Sequence, residues 1–550
     1  MSDAPLRGEA QPVDQDAPVT QRPEEPGLGA AAAPVSLATL GSRLLGVVRE
    51  QVMATLFGAG NAADAFNIAF RVPNLLRDLF AEGALSASFV PTFTQAAHKE
   101  GQKAAWELGA QVVNTILIGL SLVVIVVWFF APALVRIMAP GFAQVPGKLE
   151  LTTLMARVML PFLPLVALAA AAMGMLNSMH RFGAAALSPI WFNIGSIVVT
   201  LAMVPVMHAL GAEPILAMAV GVLAGALLQL AVQIPPLWKL GFRPTWPPRL
   251  GHPGVKRVAT LMWPAAIGLS AVQINVVINS WLASTLGTGA VSWLAYAFRI
   301  LFVPIGLFGT ALATVSLPSF SRFVAAGDME GFKQTLGRAV RLAILLGLPA
   351  AVFLVVLSRP LTALLYQHGL FTAHDTVQTA NALMAYCVGL AAFSGIRVLV
   401  PAFYALSDTK TPLVASFLSV AVNLALNLWL MRVWGHVGLA LSLGFTSVFN
   451  FAQLWLWMKR RVGNLGGHLV LTTTARAAVA CALMGGVLYL LGAWGETWPV
   501  QGWLSRATVL GLGVVLGGGL VIWLYGVFGI SERDELVGAL TAVARRFRGR

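Results

Sequence analysis

Ala69-Phe70-Arg71 places an arginine inside a long apolar stretch, and the same three residues recur as Ala297-Phe298-Arg299, 228 positions later. Pro132 and Pro360, which end the next apolar run in each half, are also 228 positions apart. This repeat indicates a chain built from two similar halves. An arginine facing lipid at the bilayer centre would cost roughly 2.5 kcal/mol or more, so the matched arginines predict a polar cavity that attracts an anion.

The composition is typical of an integral membrane protein. The chain has 550 residues, of which 58% are hydrophobic and only 11% are charged, whereas soluble domains carry about 25% charged residues. Fourteen segments approach or exceed the roughly 20 residues that cross a bilayer as a helix, which predicts an all-α, polytopic membrane protein. The predicted spans are 36–57, 62–94, 107–131, 150–179, 185–209, 214–238, 257–286, 290–321, 334–357, 375–405, 412–432, 436–459, 469–493 and 503–527.

These spans divide into two pseudo-symmetric lobes of six helices and two additional C-terminal helices. Transporters commonly place their binding site between such repeats, although chance similarity between apolar segments is the alternative explanation. The predicted boundaries are 1–35 for a disordered cytoplasmic tail, 36–238 for the N-lobe, 239–256 for a cytoplasmic linker, 257–461 for the C-lobe, 462–530 for the last two spans and 531–550 for a basic cytoplasmic tail.

Basic residues cluster in alternate loops, whereas the opposite loops 58–61 and 286–290 contain no charged residue. By the positive-inside rule, this pattern places both termini in the cytoplasm. The formal charge of +14 is then explained by topology and by anionic lipid, and no nucleic-acid partner is needed.

Polar residues form a stripe along the second predicted span. Asp64, Asn67, Arg71, Asn74 and Asp78 follow one another at steps of three and four residues, which places them on one helix face. The stripe covers about 21 Å at 1.5 Å per residue, so it must face water or protein. It indicates either a hydrated cavity or an internal ion-pair network that holds the bundle together.

The deep arginines are in slight excess over the deep acids, and no acid lies near Arg299 along its own span. Arg299 therefore needs a partner from another helix or a bound anion. Arginine forks bind phosphate oxygens in pairs, so a phosphorylated or pyrophosphorylated substrate is favoured over a cationic drug. The candidate substrate-binding residues are Arg43, Arg49, Asp64, Arg71, Asn74, Arg77, Glu82 and Arg299.

Three amides in apolar runs, Asn279, Asn423 and Asn427, are candidates for coordinating Na⁺. A hard cation site usually includes a carboxylate, so interhelical hydrogen bonds are the favoured interpretation. The sequence contains no GxxxxGK[ST] and no HExxH motif, so we predict a protein that is not an enzyme and that needs no cofactor.

At these residues the sequence resembles the MurJ (MviN) family, the lipid II flippases of bacterial peptidoglycan synthesis within the multidrug/oligosaccharidyl-lipid/polysaccharide exporter superfamily. The resemblance covers about residues 35–530. The stretches that carry it include Ser42-Arg43-Leu44-Leu45-Gly46-Val47-Val48-Arg49-Glu50, Ala63-Asp64-Ala65-Phe66, Arg71-Val72-Pro73-Asn74-Leu75-Leu76-Arg77, Phe80-Ala81-Glu82-Gly83-Ala84 and Phe403-Tyr404-Ala405-Leu406-Ser407-Asp408-Thr409-Lys410-Thr411-Pro412.

The resemblance implies an inner-membrane protein with two lobes around a cationic cavity, which exports lipid II by alternating access. It also implies an apolar groove for the polyprenyl tail at the last two spans, contacts with membrane lipids and with cell-wall synthesis enzymes, and coupling to the membrane potential or to Na⁺. Asp78 departs from the family, since relatives can carry a basic residue there. The family's important charges fall on Arg43, Arg49, Asp64, Arg77 and Arg299.

Three other functions stay open at this point. The first is a flippase for another polyprenyl-pyrophosphate glycan. The second is a cation-coupled multidrug exporter, which should depend on deep acids without an excess of arginine. The third is a membrane scaffold that recruits cell-wall enzymes and transports nothing.

Overall fold

The computed structural model describes residues 28–79, 84–247, 249, 251–498, 502–538 and 541. Within these ranges the regular structure is helical and contains no strand, which confirms the predicted all-α fold. The helices are α1 Leu28–Phe57, α2 Asn61–Arg77, α3 Ala84–Lys99, α4 Gln102–Met138, α5 Lys148–Met159, α6 Phe162–Ser178, α7 Phe182–Ala209, α8 Leu216–Ala231, α9 Ile234–Lys239, α10 Pro253–Ser284, α11 Ala290–Pro304, α12 Thr310–Ala325, α13 Met329–Val356, α14 Ser358–Tyr366, α15 Ala373–Cys387, α16 Leu390–Ala405, α17 Lys410–Val462, α18 Gly467–Glu496 and α19 Trp503–Val527.

Each of the fourteen predicted spans has a helical counterpart. By length and composition, nine helices in the described ranges can cross a membrane, or ten if α15 and α16, which meet at a 47° bend, form one span. The long helix α17 contains two predicted spans. Three predicted spans are not among these helices. They are 36–57, 62–94 and 257–286, and they correspond to α1, to the pair α2 and α3, and to α10.

Gly435 divides α17 into two antiparallel spans. Its φ of 56° and ψ of −130° are not helical, and only glycine adopts such angles without strain. Asn423 Nδ2 donates to Thr446 Oγ1 at 3.2 Å, although the two residues are 23 positions apart. A straight helix would separate them by roughly 35 Å, so the chain must turn back at Gly435.

Two predicted boundaries differ from the structure. The helix α1 begins at Leu28, inside the tail predicted as disordered over 1–35. The run Ala30–Ala33 explains the difference, because alanine has the highest helix propensity. The predicted span 62–94 is interrupted, because α2 ends at Arg77 and a π-helical turn follows at residues 78–79.

The helices α1 to α9 pack into one lobe and α11 to α17 into another. The helix α10 lies between the lobes and packs against α3 and α4 on one side and α17 on the other. The helices α18 and α19 pack on α13 at the outside of the second lobe. We call the end that contains the turns 58–60, 285–289 and 367–372 the charge-poor face, and the opposite end the basic face.

A candidate anion-binding chamber between the lobes

A cavity of about 480 Å³ lies between the lobes. Apolar side chains form much of its wall, as is usual for a ligand site with a few orienting polar groups. The polar and charged residues that line it are Asn67, Arg71, Asn74, Asn275, Asn279, Ser280, Arg299, Tyr386, Ser416, Ser419, Thr446, Ser447 and Asn450.

Three members of the predicted stripe on α2 line this chamber: Asn67, Arg71 and Asn74. The Arg71 guanidinium donates a hydrogen bond from Nη1 to the carbonyl oxygen of Val276 at 3.4 Å. Among the residues that the structure describes, Arg71 makes no ion pair. Its charge is therefore available to an anion in the chamber.

Arg299 enters the chamber from α11, and of the two predicted alternatives, a partner from another helix or a bound anion, the structure shows a partner from another helix. The partner is Glu50 of α1, with which the Arg299 guanidinium forms an ion pair. The same carboxylate oxygen also accepts from Arg49 Nη2 at 3.0 Å. One acid thus neutralises only one of two arginines, and the group keeps a net positive charge.

Arg77 does not line the chamber. It donates to Asp78 Oδ1 from Nε at 3.2 Å and from Nη2 at 2.9 Å. The other oxygen of Asp78 accepts from Gln273 of α10 at 3.2 Å. These bonds join the end of α2 to α10 and leave little free charge on Arg77. The predicted site residue Glu82 lies outside the described residues.

Arg43 and Arg397 form a second cationic region beside the π-helical segment Ile305–Gly309. The Arg43 guanidinium lies next to Gly306. Arg397 lies next to Gly309, with its guanidinium carbon 5.5 Å from the centre of the Phe302 ring. Neither arginine forms an ion pair within the described ranges. Sequence reasoning missed Arg397, although it stands as isolated in an apolar run as Arg299 does.

Asp64 lies away from the chamber, in a buried junction between the lobes. Its carboxylate accepts from Lys148 Nζ at 2.9 Å, from the backbone N–H of Gly289 at 2.8 Å, and from the N–H and Oγ of Ser292 at 2.9 and 2.7 Å. Its side chain is fully buried and that of Lys148 is 3% exposed. The structure therefore corrects the expected position of Asp64, because its oxygens are already occupied. Lys148 was missed, since nothing near it in sequence indicates its partner.

Further contacts close the charge-poor face around this junction. The Leu370 N–H donates to the Thr55 carbonyl at 2.9 Å, and the Tyr296 hydroxyl donates to the Gly58 carbonyl at 3.1 Å. Thr288 Oγ1 donates to Asn61 Oδ1 at 2.9 Å. Each bond joins one lobe to the other. We call these contacts, together with the Asp64 junction, the latch.

The candidate cation residues Asn279, Asn423 and Asn427 do form one cluster, but they bind one another. Asn423 Oδ1 accepts from Asn279 at 3.2 Å and from Asn427 at 2.9 Å. Asn279 Oδ1 accepts from Asn427 Nδ2 at 3.0 Å. The described residues contain no group of three or more His, Cys, Asp or Glu that could hold a metal. Asn427 Oδ1 is buried and has no hydrogen-bond partner among the described residues, but the cluster contains no carboxylate, which a hard cation site usually includes.

Comparisons with known proteins identify relatives over most of the chain. The family described as "Lipid II flippase MurJ" matches residues 53–509. A protein of Vibrio cholerae described as "Probable lipid II flippase MurJ" is 36% identical over 87% of this chain and 93% of its own length. A relative from Rhizobium tropici with the same description is 38% identical, covering 87% and 90%. "Lipid II flippase MurJ" of Burkholderia cenocepacia is 36% identical, covering 78% and 83%.

Solved structures share the fold. The structure titled "Lipid II flippase MurJ, inward closed conformation" superposes with a TM-score of 0.73 at 24% identity, covering 91% of this chain and 99% of the other. An inward-facing multidrug transporter of the MATE family in the MOP superfamily gives 0.65 at 15% identity, covering 79% and 98%. The two-lobe architecture is thus one that transporters of this superfamily adopt.

Proposed function

This chain belongs to the MurJ family of lipid II flippases, and from this membership we propose that it moves lipid II from the cytoplasmic to the periplasmic leaflet of the bacterial inner membrane. The observation that carries the proposal is the chamber between the lobes, into which Arg71 and Arg299 project. A diphosphate would supply the negative charge that the protein itself provides only in part. A cationic drug, in contrast, would be repelled by these arginines.

The lipid II head group would bind through its pyrophosphate. Guanidinium groups form paired, charge-assisted hydrogen bonds with phosphate oxygens. Arg71 and Arg299 are the first contacts we propose, because they line the chamber. Asn67 and Asn74 lie on the same wall and offer amide groups to the sugars. No covalent bond is made or broken in this process.

Transport would proceed by alternating access, with the latch as the periplasmic gate. We assign the charge-poor face to the periplasm and both termini to the cytoplasm, because basic loops are retained inside. Glu50 neutralises part of the charge of Arg49 and Arg299, so an incoming diphosphate would compete with Glu50 for them. Such competition can shift the balance between two conformations only if the diphosphate binds one of them more tightly.

The membrane potential is the driving force that we propose. An anionic lipid carried outward moves favourably in a potential that is negative inside, by roughly 2.3 kcal/mol per charge per 100 mV. The amide cluster of Asn279, Asn423 and Asn427 supports this choice, because its three side chains bind one another and include no carboxylate, which a hard cation site usually requires. We further propose that the tail of lipid II lies against α18 and α19. Assembly with cell-wall synthesis enzymes stays a prediction.

The proposal is tested by Arg299→Ala in purified protein reconstituted into liposomes with fluorescent lipid II. We expect flipping to be lost while membrane insertion is unchanged, and growth complementation to be lost in parallel. Arg322→Ala is the matched control, because Arg322 is exposed near the end of α12. Full flipping or full complementation by Arg299→Ala would exclude Arg299 from substrate binding. If the protein flips other polyprenyl-pyrophosphate glycans as fast as lipid II, its substrates would include polyprenyl-pyrophosphate glycans in general.

A further inference from the structure

A second cavity, of about 650 Å³, lies at the charge-poor face between α14 and the C-terminal helices α18 and α19. Arg359 of α14 and Arg506 of α19 both line it. Arg506 donates a hydrogen bond from Nη1 to the Ala363 carbonyl oxygen at 3.4 Å. In the described part of the chain neither arginine forms an ion pair. Glu496 also lines the cavity, and its side chain or backbone already interacts with another group of the protein.

These two arginines are not explained by topology or by helix stability. The positive-inside rule favours cations at the opposite face. Arg359 and Arg506 lie in the first turns of their helices, where the helix dipole disfavours a cation and favours an anion. The two arginines outnumber Glu496, the acid that lines the same cavity, so a bound anion would compensate the remaining positive charge.

The surroundings of the cavity place it at the depth of lipid head groups. Tyr489 lines the cavity and is 69% exposed. Trp494 and Trp503, near the ends of α18 and α19 that meet here, are also exposed. Exposed tyrosine and tryptophan mark the membrane–water interface. An apolar surface continues from this point along α18, where Leu483 and Leu490 are exposed.

We propose that this cavity binds the anionic phosphate of a lipid in the periplasmic leaflet, with Arg359 and Arg506 on the phosphate and the acyl or prenyl chain along α18. The site adjoins the latch, because Gln367 lines the cavity and Leu370, three residues further on, donates to the Thr55 carbonyl. The binding does not require that the protein flips lipid II. If the proposed function holds, lipid II is itself a lipid with an anionic phosphate group and is one of the lipids that this site could bind.

The test measures lipid binding by full-length protein in phosphatidylcholine nanodiscs, with spin-labelled phosphatidylglycerol as the probe. We expect Arg359→Gln/Arg506→Gln to lower the relative affinity for the probe about tenfold. Arg432→Gln is the matched control, since Arg432 is an exposed arginine that does not line this cavity, and it should change the affinity less than about twofold. Equal affinity in the wild type and the double variant overturns the proposal.

Two further arms keep the result decisive. Arg359→Gln alone serves if the double variant does not fold, because Arg359 is exposed and only lines the cavity. Inorganic phosphate should not displace the probe at millimolar concentration, and full displacement would identify a soluble anion and overturn the lipid assignment. Because binding is measured without transport, failure here leaves the flipping proposal intact, and loss of that proposal leaves this one intact.

Discussion

Glu50 is the acid that partly neutralises the chamber arginine Arg299, since its carboxylate pairs with both Arg49 and Arg299. Its second oxygen, Oε2, is buried and has no hydrogen-bond partner among the described residues. An acid in this position keeps two neighbouring guanidinium groups together when no substrate is bound. It also limits how strongly they attract a diphosphate.

We therefore predict that Glu50→Gln increases the affinity for a short-chain lipid II analogue by about tenfold, because each charged hydrogen bond to the diphosphate is worth roughly 1.5–3 kcal/mol. Titration of the purified protein with the labelled analogue measures this affinity. Glu107→Gln is the control, because Glu107 pairs with Arg249 at the exposed basic face. Weaker binding by Glu50→Gln would mean that the carboxylate positions the arginines more than it competes for them.

The second prediction at the residue scale concerns the buried pair of Asp64 and Lys148. Asp64→Asn should destabilise the protein by about 3–5 kcal/mol, because it leaves the Lys148 ammonium buried and unpaired. The double variant Asp64→Asn/Lys148→Met should be more stable than Asp64→Asn alone. Thermal unfolding of the detergent-purified variants measures both effects. Strictly additive losses would show that the two groups are not coupled.

At the scale of single elements, Gly435 determines whether α17 forms one helix or two spans. Gly435→Ala should cost about 1–3 kcal/mol, because alanine is strained at a φ of 56° and a ψ of −130°. A Cβ there would meet no atom within 4 Å, so the loss would be purely conformational. Gly486→Ala is the control: it lies within α18 and is equally unobstructed, and alanine favours a helix. Equal melting temperatures for both variants would contradict this account.

Element patterns could be predicted from the sequence where local periodicity determines them. The spacing of Asn67, Arg71 and Asn74 brings all three to one helix face, and that face lines the chamber. Asp64 belongs to the same stripe, but it lies in the first turn of α2, beyond the chamber and within reach of Lys148. Periodicity predicts which residues share a helix face, but it does not predict which residue of another helix each of them contacts. The ion pairs Asp64–Lys148 and Arg299–Glu50 therefore could not be predicted.

At the scale of the whole molecule, the fold followed from composition and from the internal repeat, because lipid requires the backbone to satisfy its own hydrogen bonds within helices. The closure of the charge-poor face could not be predicted from the sequence. It depends on contacts between residues far apart in the chain, such as Asn61 with Thr288, which are 227 positions apart. Such contacts leave no trace in local sequence patterns.

The driving force is also a property of the whole molecule. In proteoliposomes we expect flipping to accelerate when a potassium gradient and valinomycin set the receiving side positive. Replacing Na⁺ by choline should change the rate less than about twofold, because the amide cluster offers no carboxylate to a hard cation. A rate that collapses without Na⁺, at constant potential, would refute this coupling.

The latch has a pharmacological consequence. In the proposed orientation it holds the lobes together on the outer side of the membrane. A compound applied outside the cell would then reach Arg71 and Arg299 only when the lobes separate during transport. An inhibitor directed at Arg71 or Arg299 should thus gain potency when precursor synthesis is fast, and starved cells should tolerate it.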